Sequence, residues 1–263
     1  MTEGKPSGHP GGHSGGHPGG KPKGHPGDNL NLEAITDIAE KGKDGQRSDR
    51  RLYMQLFVFD GVEDETALID ALKESGMEAV LYANVANPHG VGLATMAEDP
   101  AFFADTLRPF LRKPPFANLI LDQSFTMFGR SYSLGHEEKL EDWLLQHSRR
   151  VSRNPAWPWA VWYPLRRKGE FAKLPALEQG MILMEHGMIG RAFGEKDYAH
   201  DIRLACVGMD AHDNDFLVAL TGAELYPLSK VVEAMRKTVQ TSTYLESLGP
   251  FFVGKAIYQA PLG

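Results

Sequence analysis

The sequence predicts an α+β protein: two tandem β-α-β-β-α-β units with antiparallel sheets, behind a disordered Gly/His-rich N-terminal tail. Three observations carry this expectation. Apolar runs of strand length alternate with amphipathic stretches, and their order occurs twice. Each half sets a pair of strand-like runs between its helices, where one large parallel sheet would alternate strand and helix. The first 28 residues hold 10 of the chain's 28 glycines, 5 of its 17 prolines and 4 of its 10 histidines. They offer no aliphatic side chain beyond Met1 to offset the entropy of ordering.

Residues 1–50 read as tail and linker. His9, His13 and His17 recur every four residues, and His25 repeats the pattern loosely. Imidazoles at such spacing can wrap a Zn, Ni or Cu ion; a solubilising low-complexity leader is the plainer account. The first folded half spans 51–128. Leu52 to Phe59 reads as a strand, Glu65 to Ser75 as a helix stopped by Gly76, and Ala79 to Ala86 and Gly92 to Ala97 as strands. Pro100 to Leu111 reads as a helix and Ala117 to Phe128 as the closing strand.

A joining segment, 129–158, leads to the second half, 159–263. Here Trp159 to Leu165 is a strand, Pro175 to Ile189 a helix, and Ile202 to Val207 and Phe216 to Leu220 are strands. Leu225 to Leu248 reads as one long helix closed by Gly249, and Phe251 to Tyr258 as the last strand. Each half is therefore a ferredoxin-like unit.

Composition narrows the function. With 28 Lys+Arg against 34 Asp+Glu, a formal charge of −6 and no basic stripe, a nucleic-acid binder is not expected. A lone cysteine, Cys206, excludes an intramolecular disulfide or a thiolate zinc cluster. No run of about 18 uncharged apolar residues occurs, so no membrane span is expected. Residues 1–28 contain no apolar signal-peptide stretch, which makes the cytoplasm the expected location.

The helix at 175–189 is the informative element. At 100° per residue, Leu177, Met181, Met184 and Met188 form one stripe, expected to pack on the sheet. His186 falls on the opposite side, flanked by Ile182 and Ile189. An apolar second face around an imidazole points to a flat apolar partner, either a cofactor or another subunit; a structural histidine is the plainer reading. Gly187 and Gly190 leave room for a close approach.

Met184-Glu185-His186-Gly187-Met188-Ile189-Gly190-Arg191, preceded by Trp162-Tyr163-Pro164-Leu165-Arg166-Arg167, resembles the chlorite dismutase superfamily. Gly208-Met209-Asp210 with Asp215-Phe216, and the stretch from Tyr244 to Gly254, resemble it too. That superfamily contains chlorite-degrading enzymes and coproheme decarboxylases. The resemblance is best over 157–258. It implies a tandem ferredoxin-like fold, a homo-oligomer such as a pentamer, and haem b or iron coproporphyrin held by His186 as proximal ligand, with Ile182 and Ile189 lining the slot.

By the same resemblance, Tyr163 matches the tyrosine that the decarboxylases oxidise, and Arg166 and Arg167 stand where relatives anchor a propionate. Peroxide with coproheme is then the expected substrate pair, chlorite the runner-up, and a haem carrier or sensor without turnover the reading from another class. Two places depart from the pattern. Where chlorite-degrading relatives orient the proximal ring with a glutamate, counting gives Thr221. The distal position falls on Asp201, with Arg203 two residues on, on the same strand face. His200 is expected on the other face.

The remaining candidates are plainer. His89 reads as a turn residue, and His136 and His147 lie in the charged joining segment. His212 among Asp210, Asp213 and Asp215 reads as an acidic turn or a cation site.

Overall fold

A computed structural model of the chain describes residues 31–262. The His-rich tail, and any ion it would hold, lies outside the described residues. Two compact units divide the chain at Ile38. In the first, Leu32–Thr36 is a short helix whose first turn is capped by Asn31, with Oδ1 accepting from the Ala34 N–H at 3.1 Å. In the second, residues expected to be linker pair instead as a hairpin, Glu40–Lys41 with Arg47–Ser48.

The first half of this second unit comprises β1 (Tyr53–Asp60), α1 (Glu65–Ser75), β2 (Ala79–Asn84), β3 (Val91–Ala97), α2 (Arg108–Leu111) and β4 (Met127–Arg130). α1 starts where Asp64 Oδ1 accepts from the Thr66 N–H, and stops where Gly76 takes φ +64°. A π-turn over Phe103–Leu107 leads directly into α2. Between the halves, a π-turn over Asp142–His147 runs into α3 (Ser148–Ser152). The second half comprises β5 (Trp159–Arg167), α4 (Ala176–Glu195), β6 (His200–Ala205), β7 (Phe216–Gly222), α5 (Leu225–Met235), α6 (Val239–Tyr244), β8 (Leu245–Leu248) and β9 (Phe252–Gln259).

In both halves the sheet order is fourth, first, third, second strand: β4-β1-β3-β2 and β9-β5-β7-β6. This is the ferredoxin-like order twice over. The halves join through β2 with β9, from Asn84↔Gly254 to Val80↔Gln259, and through the single bridge Arg130↔Ala205 between β4 and β6. Eight antiparallel strands thus close into a ring.

Alternation along each strand separates three cores. Leu56, Met96, Trp162, Leu204, Leu217 and Phe252 fill the inside of the ring. The first half's outer face buries Leu68 and Leu72 of α1. The second half's outer face buries Val161, Tyr163, Leu220, Leu228 and Val231, with Ile189 and Phe193 of α4 against them. Gly92 is required by the inner core, because a Cβ there would run into the Phe252 ring. No helix among the described residues is long and apolar enough to cross a membrane.

Two expected elements are broken. The strand anticipated from Ala117 to Phe128 is only Ile120–Leu121 followed by β4, separated by a tight turn. Asp122 Oδ1 accepts from both the backbone N–H and the hydroxyl of Ser124, giving the chain an alternative to the ladder. The single helix anticipated over Leu225 to Leu248 ends at Met235. Thr238 turns extended (φ −70°, ψ 154°) and caps α6, and Leu245–Leu248 then pairs with β5.

A third correction bears on function. The stripe expected to pack on the sheet is the exposed side of α4: Leu177, Met181, Met184 and Met188 are 54–77% exposed. The side that turns inward carries Ile182, His186, Ile189 and Phe193. Both sides are apolar, so periodicity alone is indifferent between them. The helix also continues past Ile189, its expected end, to Glu195, which adds the Phe193 ring to the inward side and decides the matter.

Candidate functional site

The site lies between the inward side of α4 and the outer face of β5, β7 and β6. Register fixes which side chains look at the helix. Tyr163 pairs with Val218, and Val218 with Arg203, so these three form one cross-strand row. The next row is Val161, Leu220 and Asp201. Two strand spacings put Tyr163 and Arg203 about 10 Å apart.

His186 projects toward this face. Burial pushes its pKa down to about 4, the Arg167 and Arg203 guanidiniums push in the same direction, and Asp201 and Glu185 oppose them. The ring is therefore neutral near pH 7. Its Nδ1 stands 3.4 Å from Thr238 Oγ1. That hydroxyl already donates to the Met235 carbonyl at 2.8 Å, so it is left to accept from His186. That arrangement favours the tautomer with the proton on Nδ1, in which Nε2 carries the lone pair. Glu185, one residue earlier, accepts from the Val239 N–H at 3.0 Å and ties α4 to the start of α6.

Sequence reasoning misses Thr238. Counting points to Thr221, but that residue lies on the ring-interior side of β7, in phase with Leu217 and Ala219, and its hydroxyl donates to the Val151 carbonyl at 3.5 Å. The sequence signal that could have found Thr238 is the Thr-Val-Gln-Thr-Ser run, rich in capping residues, inside what reads as a helix.

Tyr163 is buried and stacks on Phe251, with centroids 4.8 Å apart. Burial raises its phenol pKa, and Asp201 adds to the effect. Arg167, in phase with Tyr163 on β5, lies between the Phe171 and Phe216 rings at 4.8 and 4.6 Å. Burial lowers its pKa, and its Nε is buried without a hydrogen-bond partner. Arg166 is not gathered with them. It is 41% exposed and pairs with Asp213 at 2.8 Å and Glu246 at 3.7 Å.

Arg203 and Asp201 form an ion pair at 2.7 Å, and the Arg203 guanidinium lies 4.9 Å from the Trp143 ring. The joining segment thus supplies a wall. Trp143 Nε1 donates to the Tyr132 carbonyl at 2.9 Å, and His147 stacks on Trp143 while its Nε2 meets the Asp201 carbonyl at 2.9 Å. Burial lowers the His147 pKa, so this wall is also neutral at its imidazole. The sequence places neither Trp143 nor His147 near the site, because tens of residues separate them from β6.

His200 stacks on Trp157 at 3.5 Å and meets Asp197 at 2.7 Å. His89 is a turn residue whose Nδ1 meets the Val62 carbonyl. The acidic group around His212 is consumed internally. Asp210 accepts from the His212 N–H and from Asn214, Asp213 pairs with Arg166, and Asp215 accepts from the Arg167 N–H. No group of three or more His, Cys, Asp or Glu side chains that could hold a metal forms among the described residues.

Fold and site together define a chain whose paired ferredoxin-like halves close into one ring, with a helix-borne imidazole facing the outer sheet of the second half. The chain belongs to the chlorite dismutase family, whose sequence profile matches residues 126–257. Among solved structures, a haem-binding protein from Thermus thermophilus is similar at 20% identity and a TM-score of 0.61, covering 80% of this chain and 94% of that one. A variant of chlorite dismutase from Candidatus Nitrospira defluvii is similar at 15% identity and a TM-score of 0.61, covering 80% and 93%. The same organism's enzyme in complex with imidazole is similar at 14% identity and a TM-score of 0.60 over the same shares. At these identities the likeness speaks for the fold. No curated protein matches the sequence.

Proposed function

We propose that the chain is an iron-porphyrin-dependent oxidoreductase that removes propionate carboxylates from iron coproporphyrin at the expense of peroxide. The observation that carries this reading is the inward-facing, neutral His186, set against Tyr163 and a buried Arg167. The residues fit the group. An imidazole with its Nε2 free would ligate the iron, and Ile182, Ile189 and the aromatic rings would give the group apolar surroundings. Arg167 Nε, buried and without a partner, is the kind of donor that a porphyrin carboxylate would satisfy.

When bound, an iron porphyrin would supply the redox chemistry that reduces peroxide. The chain's own part is to bind and orient. Thr238, beside His186 Nδ1, would hold the proton there and leave Nε2 to ligate the iron. The aromatic walls exclude water, and Arg167 anchors a propionate. Tyr163, neutral in its buried position, is placed to give up an electron and a proton. For each propionic acid side chain the balance is R–CH2–CH2–COOH plus H2O2 giving R–CH=CH2, CO2 and two H2O. The side chain is oxidised by two electrons, and peroxide accepts them.

The test is to load the full chain with iron coproporphyrin, add peroxide and weigh the porphyrin by mass spectrometry. Loss of two carboxyl groups is expected, with Tyr163→Phe blocking the loss while binding persists. Unchanged porphyrin mass in the parent protein overturns the activity. A His186→Ala variant that takes up porphyrin with the parent's spectrum and affinity overturns the site.

A second reading rests on Arg203, whose guanidinium shares the sheet face with Tyr163. That placement suits the distal role in chlorite decomposition, and oxygen release on adding chlorite tests it. Tight binding with neither turnover would make the chain a haem carrier or sensor. The expected cytoplasmic location and the reading of the tail histidines as a Zn, Ni or Cu site belong to this proposal as well; removal of residues 1–28 is expected to leave porphyrin binding unchanged.

A further inference from the structure

The ring of strands encloses an apolar core, and at one end that core gives way to a cavity of about 360 Å³. β1 and β2 end there and β9 begins there. Alternation from Val58 puts Asp60 on the inward side of β1, and alternation from Tyr82 puts Asn84 on the inward side of β2. The short strand Ile120–Leu121 runs antiparallel beside β1, with Ile120 opposite Asp60. The same register sets Asp122 opposite Val58, whose carbonyl accepts from the Asp122 N–H at 2.9 Å. Asp60 and Asp122 are therefore diagonal neighbours on one face, about 7–8 Å apart at Cα.

The cavity joins an apolar floor to this acidic rim. Val58, Phe125 and Phe252 belong to the inner core and form the floor. Beside the two carboxylates the rim carries Asn84, Asn87 and Ile120, and Ile120 is 68% exposed. Among the described residues no lysine or arginine lines the cavity, and neither carboxylate forms an ion pair. Their partners are local. Asp122 Oδ1 accepts from the Ser124 N–H and hydroxyl at 3.0 and 2.6 Å, and Asp60 Oδ1 accepts from the Gly61 N–H at 2.6 Å. The Asn87 side chain also bonds Asp60, and with Gly61 it holds that carboxyl below the usual carboxylate range. A carboxylate offers about four lone-pair sites, so both keep capacity to accept.

We propose that this cavity binds an organic cation, an ammonium or amidinium group carried on a flat apolar body of one or two rings. Its size falls in the range of small-molecule sites, which pair apolar walls with a few polar groups. Two carboxylates with no counter-cation fix the sign of the charge, and the faces of Phe125 and Phe252 favour the same sign. A bare divalent ion fits poorly. It needs six or more oxygens, and here two carboxylates on diagonal positions stand over phenylalanines. Phe251 borders this cavity and also stacks on Tyr163, so the two sites are neighbours across one ring.

The test is calorimetric titration of the full chain at low salt with tryptamine, against the neutral tryptophol and the anionic indole-3-acetate. Tryptamine is expected to bind with a Kd of about 1 mM or tighter, the level for a dozen heavy atoms held at ordinary efficiency. Tryptophol should bind at least tenfold more weakly. Asp60→Asn and Asp122→Asn should each weaken tryptamine about tenfold. Asparagine keeps an Oδ1 acceptor at either place, so the local turns persist and both variants are expected to melt like the parent. Methyl-labelled spectra locate the ligand: the Ile120 signal should move, and that of Ile182, beside His186 on α4, should not.

No heat with tryptamine at about 10 mM overturns the site. Equal binding of tryptophol or indole-3-acetate overturns the cation, as does an unchanged Kd in both variants. A shift at Ile182 with none at Ile120 places the ligand elsewhere and overturns the assignment. None of these readings requires porphyrin, so they stand or fall apart from the proposed activity.

Discussion

Replacing Thr238 with valine separates two jobs held by one hydroxyl. Thr238 is almost fully buried, accepts from the Thr241 N–H at 3.4 Å to cap α6, and stands 3.4 Å from His186 Nδ1. Thr238→Val keeps the shape and removes the oxygen. Loss of the cap costs about 1 kcal/mol. For a body of this size that lowers Tm by about 2–4 °C in the porphyrin-free protein.

The second job concerns the imidazole. Without its acceptor the ring is free to rotate and to change tautomer, and the loss of such a partner typically weakens metal binding by about 10–100-fold. Thr238→Ser keeps the oxygen and is expected to restore both quantities. The assays are differential scanning calorimetry of the apo chain and a spectroscopic titration with haemin. If Thr238→Val binds haemin like the parent while Tm falls, the hydroxyl is a cap and nothing more. If neither quantity moves, the geometry described around Thr238 is wrong.

Three further outcomes follow from the same structure. Gly92→Ala drives a methyl into the Phe252 ring and should cost about 1–3 kcal/mol in urea unfolding, with Phe252→Leu in the same chain recovering part of it. Arg167→Leu should weaken porphyrin uptake about tenfold or more, whereas Arg166→Leu, which breaks only exposed ion pairs, should leave the titration unchanged. Burial pushes the Cys206 thiol up to about 12, so at pH 8 its thiolate fraction is smaller than that of a free cysteine; Ellman's reagent should label it only after unfolding, and labelling of the native protein within seconds would contradict its burial.

Much of the fold was legible because strand periodicity survives single-sequence reading. β1, β3, β5 and β9 come within one or two residues of their expected ends, and Gly76 stops its helix where glycine is expected to, whereas Gly249 follows a strand and not the long helix it was expected to close. The failures have local causes. Asp122 and Thr238 bond to nearby backbone and break elements that hydrophobic pattern alone would continue.

The site was legible in its residues but not in its directions. His186, Tyr163 and Arg167 all stand out in the sequence, yet the helix is turned by half a revolution from its expected setting, since two apolar sides give no preference without the Phe193 turn that extends it. Trp143, His147 and Thr238 reach the site only through tertiary folding, which no spacing rule encodes. Arg166 and Arg167 differ by one residue on a strand, and only the register decides which of them looks inward.

The ring of strands has a consequence for how this chain can be divided. Each half presents two raw borders, and each is covered by a strand of the other half: β9 lies along β2, while β4 touches β6 at one bridge only. Expressed alone, the second half would show both borders to solvent and invite promiscuous strand addition. The half without the imidazole is thus a permanent chaperone to the half that has it, and the narrow β4–β6 seam is where the closed circle would first come apart.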